Sequence, residues 1–495
     1  MKRILSGILC LGLLLTGCSE KPPVVSVPED GPVMVSSDPA DGATDLTGDK
    51  LTLKLTFDQN VKCPSAQQKN VTIDGGASID KVNAYNSLLT IEISGLGKDS
   101  GNEYTVTVPK GTVMGFKEKQ DPADEIRISF KMKYVEPYVP SVLEPVKTLV
   151  NPNATKEAKN VYAFLLEQSG KKTLSGAQSS HCNTNDFVDF IYKNTGKHPA
   201  LAGYDFLFLQ YSPTPEGWSW VRDYNDISAP KEQWAANGLV NYMWHWNVPD
   251  SEAAWKNATD NYNFDGYNFY SDKTSFDIKE ALKEGTWQNR FIMNDIAEVA
   301  GYLKLLQAEN IPVIWRPLHE AAGNYDLYGP NGAWFWWGRG GAEPCKQLWR
   351  LLYDQLVNVH GLNNLIWVWT VDVAKGAEDQ YLDWYPGDEY VDIVGVDIYA
   401  ADTEAKTRQY QALVDLTKGK KLVTVSECGN IPDPTKCMEA GNRWSWFMVW
   451  PTSDENGNIL LNTSDQNFKL NTLDYWKKVM GNKYVIPREA MPSLK

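Results

Sequence analysis

The chain has 495 residues, of which 42% are hydrophobic and 22% are charged, as in folded globular proteins. This length is too great for one ordinary core, so we expect two or three folded units. The formal net charge of −14 argues against a nucleic-acid partner, because phosphate binding needs a surface rich in Lys and Arg. The 19 Trp and 24 Tyr are unusually many and suit either a core or sugar stacking.

The first residues predict export. Lys2 and Arg3 precede the apolar run Ile4–Leu15, which is too short to span a bilayer and is typical of a signal peptide over residues 1–17. The following LTGC resembles a bacterial lipobox, which implies lipid attachment to Cys18; an ordinary secretory signal with an incidental cysteine is the alternative. We expect a lipoprotein that meets the membrane only through its anchor, at the cell surface, the outer membrane or the periplasm.

Residues 18–32 contain four prolines and no apolar periodicity, which indicates an extended tether. Residues 33–134 then show short runs with period-two alternation, which predict a β-sandwich. The stretch SSDPADGATDL resembles bacterial Ig-like domains that accompany secreted enzymes, and we expect a spacer here in preference to a binding module. The runs are Leu51–Phe57, Leu88–Ser94, Tyr104–Pro109 and Ile126–Met132.

A proline-containing linker, 135–155, leads to a region, 156–490, in which helical patterns alternate with apolar strands. Eight such strands predict a (β/α)8 barrel, with a doubly wound sheet as the alternative. The strands are Thr173–Gln178, Pro199–Asp205, Leu239–Trp246, Val313–Pro317, Leu365–Thr370, Ile393–Tyr399, Leu422–Glu427 and Trp446–Trp450. Two helix faces are predicted before the fourth and fifth strands, formed by Ile292, Ile296, Val299, Leu303 and Leu306 and by Leu348, Leu352, Leu356 and Val359.

Polar residues are concentrated at the carboxyl ends of these strands, where barrel enzymes place their chemistry. Glu320 follows the fourth strand and Glu427 closes the seventh, so we expect their side chains to converge across the mouth. Opposed carboxylates are what glycoside hydrolysis needs, one as acid and one as nucleophile. Arg316 is an alternative ion-pair partner for Glu320, and Asp372 is ambiguous.

The motifs WRPLHE, AWFWWG, GVDIY and VSECG resemble glycoside hydrolase family 26 from about residue 156 to residue 487. The resemblance implies that Glu320 is the acid/base and Glu427 the nucleophile of a retaining double displacement without metal or cofactor. It further implies substrate contacts for His245, His319, Trp334, Asp397, Tyr399 and Trp450. Without the resemblance, His245 is equally well read as a packed core histidine. Trp336 and Trp337 are expected to pack in the core.

The resemblance implies an endo-acting mannan endo-1,4-β-mannosidase on β-mannan, galactomannan or glucomannan, as a monomer. A β-1,3/1,4-glucanase, a xylanase and a non-catalytic glycan-binding protein are the alternatives. The stretch Ala321–Asn331, before Trp334, is longer than the short linker usual in the family. The aromatic segment Asn247–Trp287 is expected to extend the cleft or to close one end of it. Cys428 and Cys437 are near enough in sequence for a disulfide.

Overall fold

The computed structural model describes residues 30–117, 120–179, 183–215, 223–322, 333–372, 380–454, 458–461 and 464–495. The chain divides into two compact units, Met1–Val139 and Pro140–Lys495. The predicted signal peptide, Cys18 and nearly all of the tether lie outside the described residues. Within the described part of the chain, no helix has the length and apolar character that crossing a membrane requires.

The first unit is a β-sandwich, as predicted. One sheet is wholly antiparallel, with strands in the order Met34–Asp38, Lys50–Phe57, Leu88–Ser94 and Ser78–Tyr85. The second sheet contains, in order, Ala43–Leu46, Ile126–Met132, Glu103–Val108 and Thr72–Ile73, and its first pair is parallel. A single helical turn, Ser65–Gln68, precedes Thr72. Alternate residues such as Leu53, Leu55, Ile91 and Ile93 fill the space between the sheets, because successive side chains point to opposite faces.

The second unit is a closed parallel barrel. Its eight strands follow one another in chain order around the barrel, and the last pairs with the first. Their side chains are almost all buried, since helices cover the outside and packed residues fill the inside. The strands are β1 Thr173–Gln178, β2 Leu201–Asp205, β3 Leu239–Met243, β4 Val313–Arg316, β5 Leu365–Asp372, β6 Ile393–Ile398, β7 Leu422–Cys428 and β8 Trp444–Val449. The eight predicted strands are therefore confirmed, with ends that differ by at most three residues.

In the described part of this unit, the α-helices are Lys156–Gln168, Asp186–Thr195, Ser228–Ala235, Glu252–Asn261, Ile278–Ala281, Trp287–Ala308, Ala342–Tyr353, Thr407–Leu416, Pro434–Glu439 and Leu473–Met480. Short 3₁₀ turns lie at Leu209–Tyr211, Trp336–Gly338, Gln380–Trp384, Asp388–Tyr390 and Arg488–Ala490. Two-residue strands pair Val248–Pro249 with Tyr267–Asn268 and Thr452–Ser453 with Ile459–Leu460, and Val485–Ile486 pairs with β1.

The predicted helix face before β4 is confirmed, because all five of its residues are buried. The face predicted before β5 is wrong at one position, Val359, which is 62% exposed. The reason is a π-helical stretch, Asp354–Val359, that continues the helix Ala342–Tyr353. A π turn takes more residues than an α turn, so the spacing of three and four residues loses its register there.

Residues 140–155 belong to the barrel unit and pack against it. Leu143 and Leu149 are buried in its core. The backbone N–H of Val150 donates to Asp392 at 2.7 Å, and that of Ser141 donates to Asp415 at 2.7 Å. The second part of the segment predicted as a linker therefore contributes to the core of the barrel unit.

Cys428 and Cys437 are both buried and both free, as are Cys63 and Cys345. The disulfide that their spacing suggested is not formed.

Candidate active site

The mouth of the barrel brings three carboxylates together. Glu427 lies on β7, Asp397 lies beside it in register on β6, and Glu320 follows β4. One carboxylate oxygen from each residue lies within 4.8 Å of the others, and none of the three side chains is more than 4% exposed. Because all strands of a parallel barrel end at one rim, residues distant in the chain meet there. The two glutamates expected to converge are therefore neighbours.

The backbone around Glu320 adopts an unusual conformation. Leu318 and Glu320 have φ angles of 49° and 51°, in the left-handed region that non-glycine residues rarely occupy. The N–H of Glu320 donates to the carbonyl of Thr370 on β5 at 3.1 Å, which fixes the turn against the barrel rim. Such conformations cost about 1–3 kcal/mol each and persist where the surrounding structure determines them. The chain thus turns sharply enough for His319 and Glu320 both to be buried at the mouth.

Arg316 is the fully buried cation of this cluster. Its Nη1 donates to Oδ2 of Asp397 at 3.0 Å, and its Nη2 donates to Oε1 of Glu427. Arg316 thus forms ion pairs with Asp397 and Glu427, whereas the sequence suggested Glu320 as its partner. The position of Arg316 as the last residue of β4 was the signal for this role. Among the described residues, Glu320, Asp397 and Glu427 are the Asp, Glu, His or Cys side chains that lie close enough together to hold a metal ion. Arg316 already supplies positive charge to Asp397 and Glu427.

Glu427 accepts hydrogen bonds at both carboxylate oxygens. The phenol of Tyr399 donates to Oε2 at 2.7 Å, whereas Arg316 donates to the other oxygen, Oε1. Burial, together with the neighbouring charge of Glu427, raises the pKa of the Tyr399 phenol well above its ordinary value. The phenol therefore keeps its proton and remains a donor.

Glu320 has different surroundings from Glu427. Burial is the largest influence and raises the pKa of the Glu320 carboxyl well above its ordinary value. The negative charges of Asp372, Asp397 and Glu427 raise this pKa further, and Arg316 acts in the opposite direction. Burial and the charge of Glu427 also raise the pKa of Asp397. The surroundings therefore favour the protonated form of Glu320 to a higher pH than that of an ordinary carboxyl group.

Two histidines lie beside the carboxylates. His245 follows β3, and its Nδ1 lies 2.6 Å from Oδ2 of Asp205, the last residue of β2. The ring of His245 contacts that of His319 edge-on, with centroids 4.6 Å apart. Burial, followed by the charges of His245 and Arg316, lowers the pKa of His319 well below its ordinary value, so its ring is neutral. Asp205 was missed in the sequence, although it closes a predicted strand.

The two predicted tryptophans, Trp450 and Trp334, differ in how closely they contact the histidines of the site. Trp450 follows β8, donates its backbone N–H to the carbonyl of Cys428 at 3.0 Å, and has its ring centroid 5.9 Å from that of His245. Trp334 lies at the edge of the site, where its ring contacts Phe335 at 5.5 Å. Phe335 in turn contacts His245 and His319. The stretch 323–332 before Trp334 lies outside the described residues.

Trp336 and Trp337 are buried, as expected for core residues. The indole N–H of Trp336 donates to the carbonyl of Trp246 at 2.8 Å, and that of Trp337 donates to the carbonyl of His319 at 2.9 Å. These two indoles therefore brace the backbone of residues beside the site.

The segment Asn247–Trp287 is folded and fastened to the residues after β4. Ser271 donates its N–H to the carbonyl of Trp334 at 2.6 Å and its hydroxyl to that of Ala333, and Trp336 donates its N–H to the carbonyl of Phe269 at 3.0 Å. The Phe269 ring lies 5.0 Å from that of His245. The segment thus places the ring of Phe269 beside that of His245, a contact that the sequence did not predict.

Comparison with known proteins agrees with this architecture. Residues 28–132 match the model of a bacterial Ig-like domain, and residues 150–470 match glycosyl hydrolase family 26. Mannan endo-1,4-β-mannosidase A of Piromyces sp is 36% identical over 362 residues, which are 72% of this chain and 52% of that protein. A mannan endo-1,4-β-mannosidase of Thermothelomyces thermophilus is 36% identical over 346 residues, 69% of this chain and 62% of that protein. The chain thus spans little more than half the length of these curated relatives.

Among solved structures, a β-mannanase from a symbiotic protist of the termite Reticulitermes speratus, complexed with a gluco-manno-oligosaccharide, is 32% identical. It has a TM-score of 0.59, and the match covers 71% of this chain and 99% of that one. The family model matches most of the chain, and the carboxylates meet at the mouth of the barrel. The chain therefore belongs to glycosyl hydrolase family 26.

Proposed function

We propose that this protein is a retaining endo-β-1,4-mannanase. The observation that carries the proposal is the closeness of the Glu320 and Glu427 carboxylates, since one oxygen of each lies within 4.8 Å of one oxygen of the other. Retaining glycosidases hold their two carboxyl groups about 5–5.5 Å apart, whereas inverting enzymes leave about 6.5–9.5 Å for a water molecule. The short separation favours direct attack by one carboxylate on the anomeric carbon.

Glu427 is the proposed nucleophile. Its oxygens accept hydrogen bonds from Arg316 and from Tyr399, donors that suit a group attacking as an anion. The attack forms a glycosyl–enzyme ester at one Glu427 oxygen while the bond to the leaving oxygen breaks.

Glu320 is the proposed acid and then base. Its raised pKa keeps the proton in place until the leaving oxygen receives it. Once Glu427 is esterified, one of the negative charges that raised this pKa is gone. Glu320 can then remain ionised and take a proton from the water that hydrolyses the ester, with overall retention of configuration.

The remaining predicted residues are proposed to hold the sugar at the cleaved bond. His245 and Asp397 would bind its hydroxyls, His319 would orient Glu320 or the substrate, and Trp450 would stack beneath the ring. Trp334 would shape the floor towards the leaving group. Their proximity around the carboxylate cluster supports this assignment.

Mannan is the proposed substrate because the relatives at 36% identity are named as mannan endo-1,4-β-mannosidases. β-1,3/1,4-Glucan and xylan are the alternative substrates. Following the products from manno-, gluco- and xylo-oligosaccharides over time decides the sugar, and the distribution of early products decides between endo and exo action. Release of a single product from one chain end would contradict the endo proposal.

The decisive test of the mechanism is Glu427→Ala. We expect hydrolysis of an aryl β-mannoside to fall at least about 10⁴-fold, because the nucleophile is removed. Added azide should restore cleavage and yield the α-mannosyl azide, since the small anion attacks where the carboxylate stood. The control is Glu439→Ala, an exposed glutamate. Unchanged turnover in Glu427→Ala, or mannan binding without new reducing ends in the native protein, would overturn the proposal.

We also propose that the mature protein is a lipoprotein modified at Cys18 and that the Ig-like unit is a spacer. The charged start, the apolar run and the LTGC sequence support the first proposal. Mass spectrometry of the native N-terminus should find a diacylglyceryl group at Cys18, and Cys18→Ser should release the protein from membranes. A membrane-bound Cys18→Ser variant would contradict it.

A further inference from the structure

Asp205 makes two hydrogen bonds to one neighbour. Its Oδ1 accepts the backbone N–H of His245 at 2.9 Å, and its Oδ2 lies 2.6 Å from Nδ1 of the same residue. The carbonyl of Asp205 accepts the hydroxyl of Tyr224 at 2.5 Å, and only 8% of Asp205 is exposed. Tyr224 therefore holds the backbone of Asp205 in place, and the Asp205 carboxylate binds both the backbone and the ring of His245.

This arrangement determines which ring nitrogen carries the proton. An ionised carboxylate only accepts hydrogen bonds, so Nδ1 of His245 must be the donor. In the neutral ring, Nε2 is then an acceptor. The rings of Phe269, His319, Phe335 and Trp450 surround the imidazole at centroid distances of 5.0, 4.6, 5.5 and 5.9 Å and limit its rotation.

We propose that Asp205 is a positioning residue that holds His245 in the Nδ1-protonated tautomer and so presents Nε2 as an acceptor for a mannosyl hydroxyl. The choice of a sugar hydroxyl as its partner rests on the proposed function. The assignment of the Nδ1-protonated tautomer does not rest on the proposed function, because it follows from the hydrogen bonds alone.

Asp205→Asn tests the proposal with little change in shape. The amide oxygen of Asn can still accept the backbone N–H of His245, but its NH₂ group can only donate towards Nδ1. The proton is then expected to move to Nε2, which reverses the hydrogen-bond polarity offered to the substrate. The same substitution in a catalytic triad acts through the wrong histidine tautomer.

The tautomer can be read directly by long-range ¹H–¹⁵N correlation, since the chain has only five histidines. The signal of His245 is identified by its loss in His245→Gln. We expect Nδ1–H in the native protein and Nε2–H in Asp205→Asn, at a pH where the ring is neutral. We also expect kcat/KM on mannopentaose to fall about tenfold or more, as when a hydrogen bond is lost and its partner left unpaired.

The chain offers a matched control. Glu489 binds His198 in a similar way, except that one oxygen, Oε1, both accepts the backbone N–H of His198 at 3.0 Å and lies 2.7 Å from its Nδ1. Glu489 lies in the 3₁₀ turn Arg488–Ala490, away from the carboxylate cluster. Glu489→Gln should leave the tautomer of His245 unchanged and kcat/KM within about twofold.

Asp205→Asn combined with His245→Gln should be no slower than His245→Gln alone, because the two residues act as a unit. An Nε2–H tautomer of His245 in the native protein would overturn the proposal, even if the variant fails to fold. A reversed tautomer with unchanged kcat/KM would also overturn it. If the native protein has no activity on mannan but Asp205→Asn still changes the tautomer of His245, the proposed function is overturned. The role of Asp205 in setting that tautomer then stands.

Discussion

Glu320 and Glu427 carry the same functional group, and their surroundings make them chemically different. Both are buried, but Glu427 accepts hydrogen bonds from a guanidinium and a phenol, whereas the charges of three other carboxylates, opposed by that of Arg316, act on Glu320. Donors favour an anion, and desolvation beside negative charges favours the protonated acid. The division of roles in the proposed mechanism therefore comes from neighbouring side chains on other strands.

Arg316 is predicted to be essential for stability as well as for activity. Arg316→Met leaves Asp397 and Glu427 buried without their cation, and breaking a buried ion pair costs about 3–5 kcal/mol. We expect the free energy of unfolding in urea to fall by about that amount, together with loss of hydrolysis. The control is Arg290→Met, which removes an exposed ion pair with Glu252 and should change stability by less than about 1 kcal/mol. Equal effects of the two substitutions would contradict the role of burial.

The pH dependence of hydrolysis should respond to Asp372. Its negative charge is the largest electrostatic contribution that raises the pKa of Glu320, after burial. In Asp372→Asn this pKa should fall, so that the acid form is lost at lower pH. We therefore expect the alkaline limb of kcat/KM against pH to move to lower pH, with exposed Asp474→Asn as the control. A shift to higher pH would contradict the electrostatic account.

At the scale of elements, the turn after β4 decides where the acid lies. Two left-handed residues, Leu318 and Glu320, flank His319, and the hydrogen bond from Glu320 to Thr370 joins the turn to β5. The 3₁₀ turn Trp336–Gly338 packs beneath it. A β-carbon at Gly338 would lie 2.0 Å from the carbonyl oxygen of Ala321, so only glycine allows this approach.

Gly338→Ala is predicted to reduce catalysis by displacing Ala321, the neighbour of Glu320. We expect kcat to fall about 10- to 100-fold, because small misplacements of a reacting group are costly. Gly301→Ala is the control, since a β-carbon there has open space within the helix Trp287–Ala308. That change should raise the free energy of unfolding by about 0.5–1 kcal/mol and leave kcat unchanged. A fully active Gly338→Ala variant would show that the turn can relax.

At the scale of the whole molecule, each unit has its own hydrophobic core. A unit with its own core is expected to fold alone. The segment 140–155 lies on the barrel side of the division and buries Leu143 and Leu149. The barrel unit therefore begins before its first helix, Lys156–Gln168.

Two truncations test this boundary. Residues 140–495 should fold and hydrolyse soluble mannan at a rate within about twofold of the full chain. Residues 156–495 should be less stable by about 3–6 kcal/mol, because two buried leucines are lost, each contributing about 1.5–3 kcal/mol. Thermal and urea unfolding of both forms gives the comparison. Equal stability would mean that 140–155 is a linker after all.

The sequence by itself determined the order of the elements, because alternation of apolar residues and helical spacing are local properties of the chain. It also located Glu320 and Glu427 at strand ends, since the barrel topology follows from the succession of strands. It did not determine the partners of Arg316, the hold of Asp205 on His245 or the exposure of Val359. Those depend on which side chains from distant strands meet at one rim, and on a π turn that shifts a helix face, so only the tertiary structure decided them.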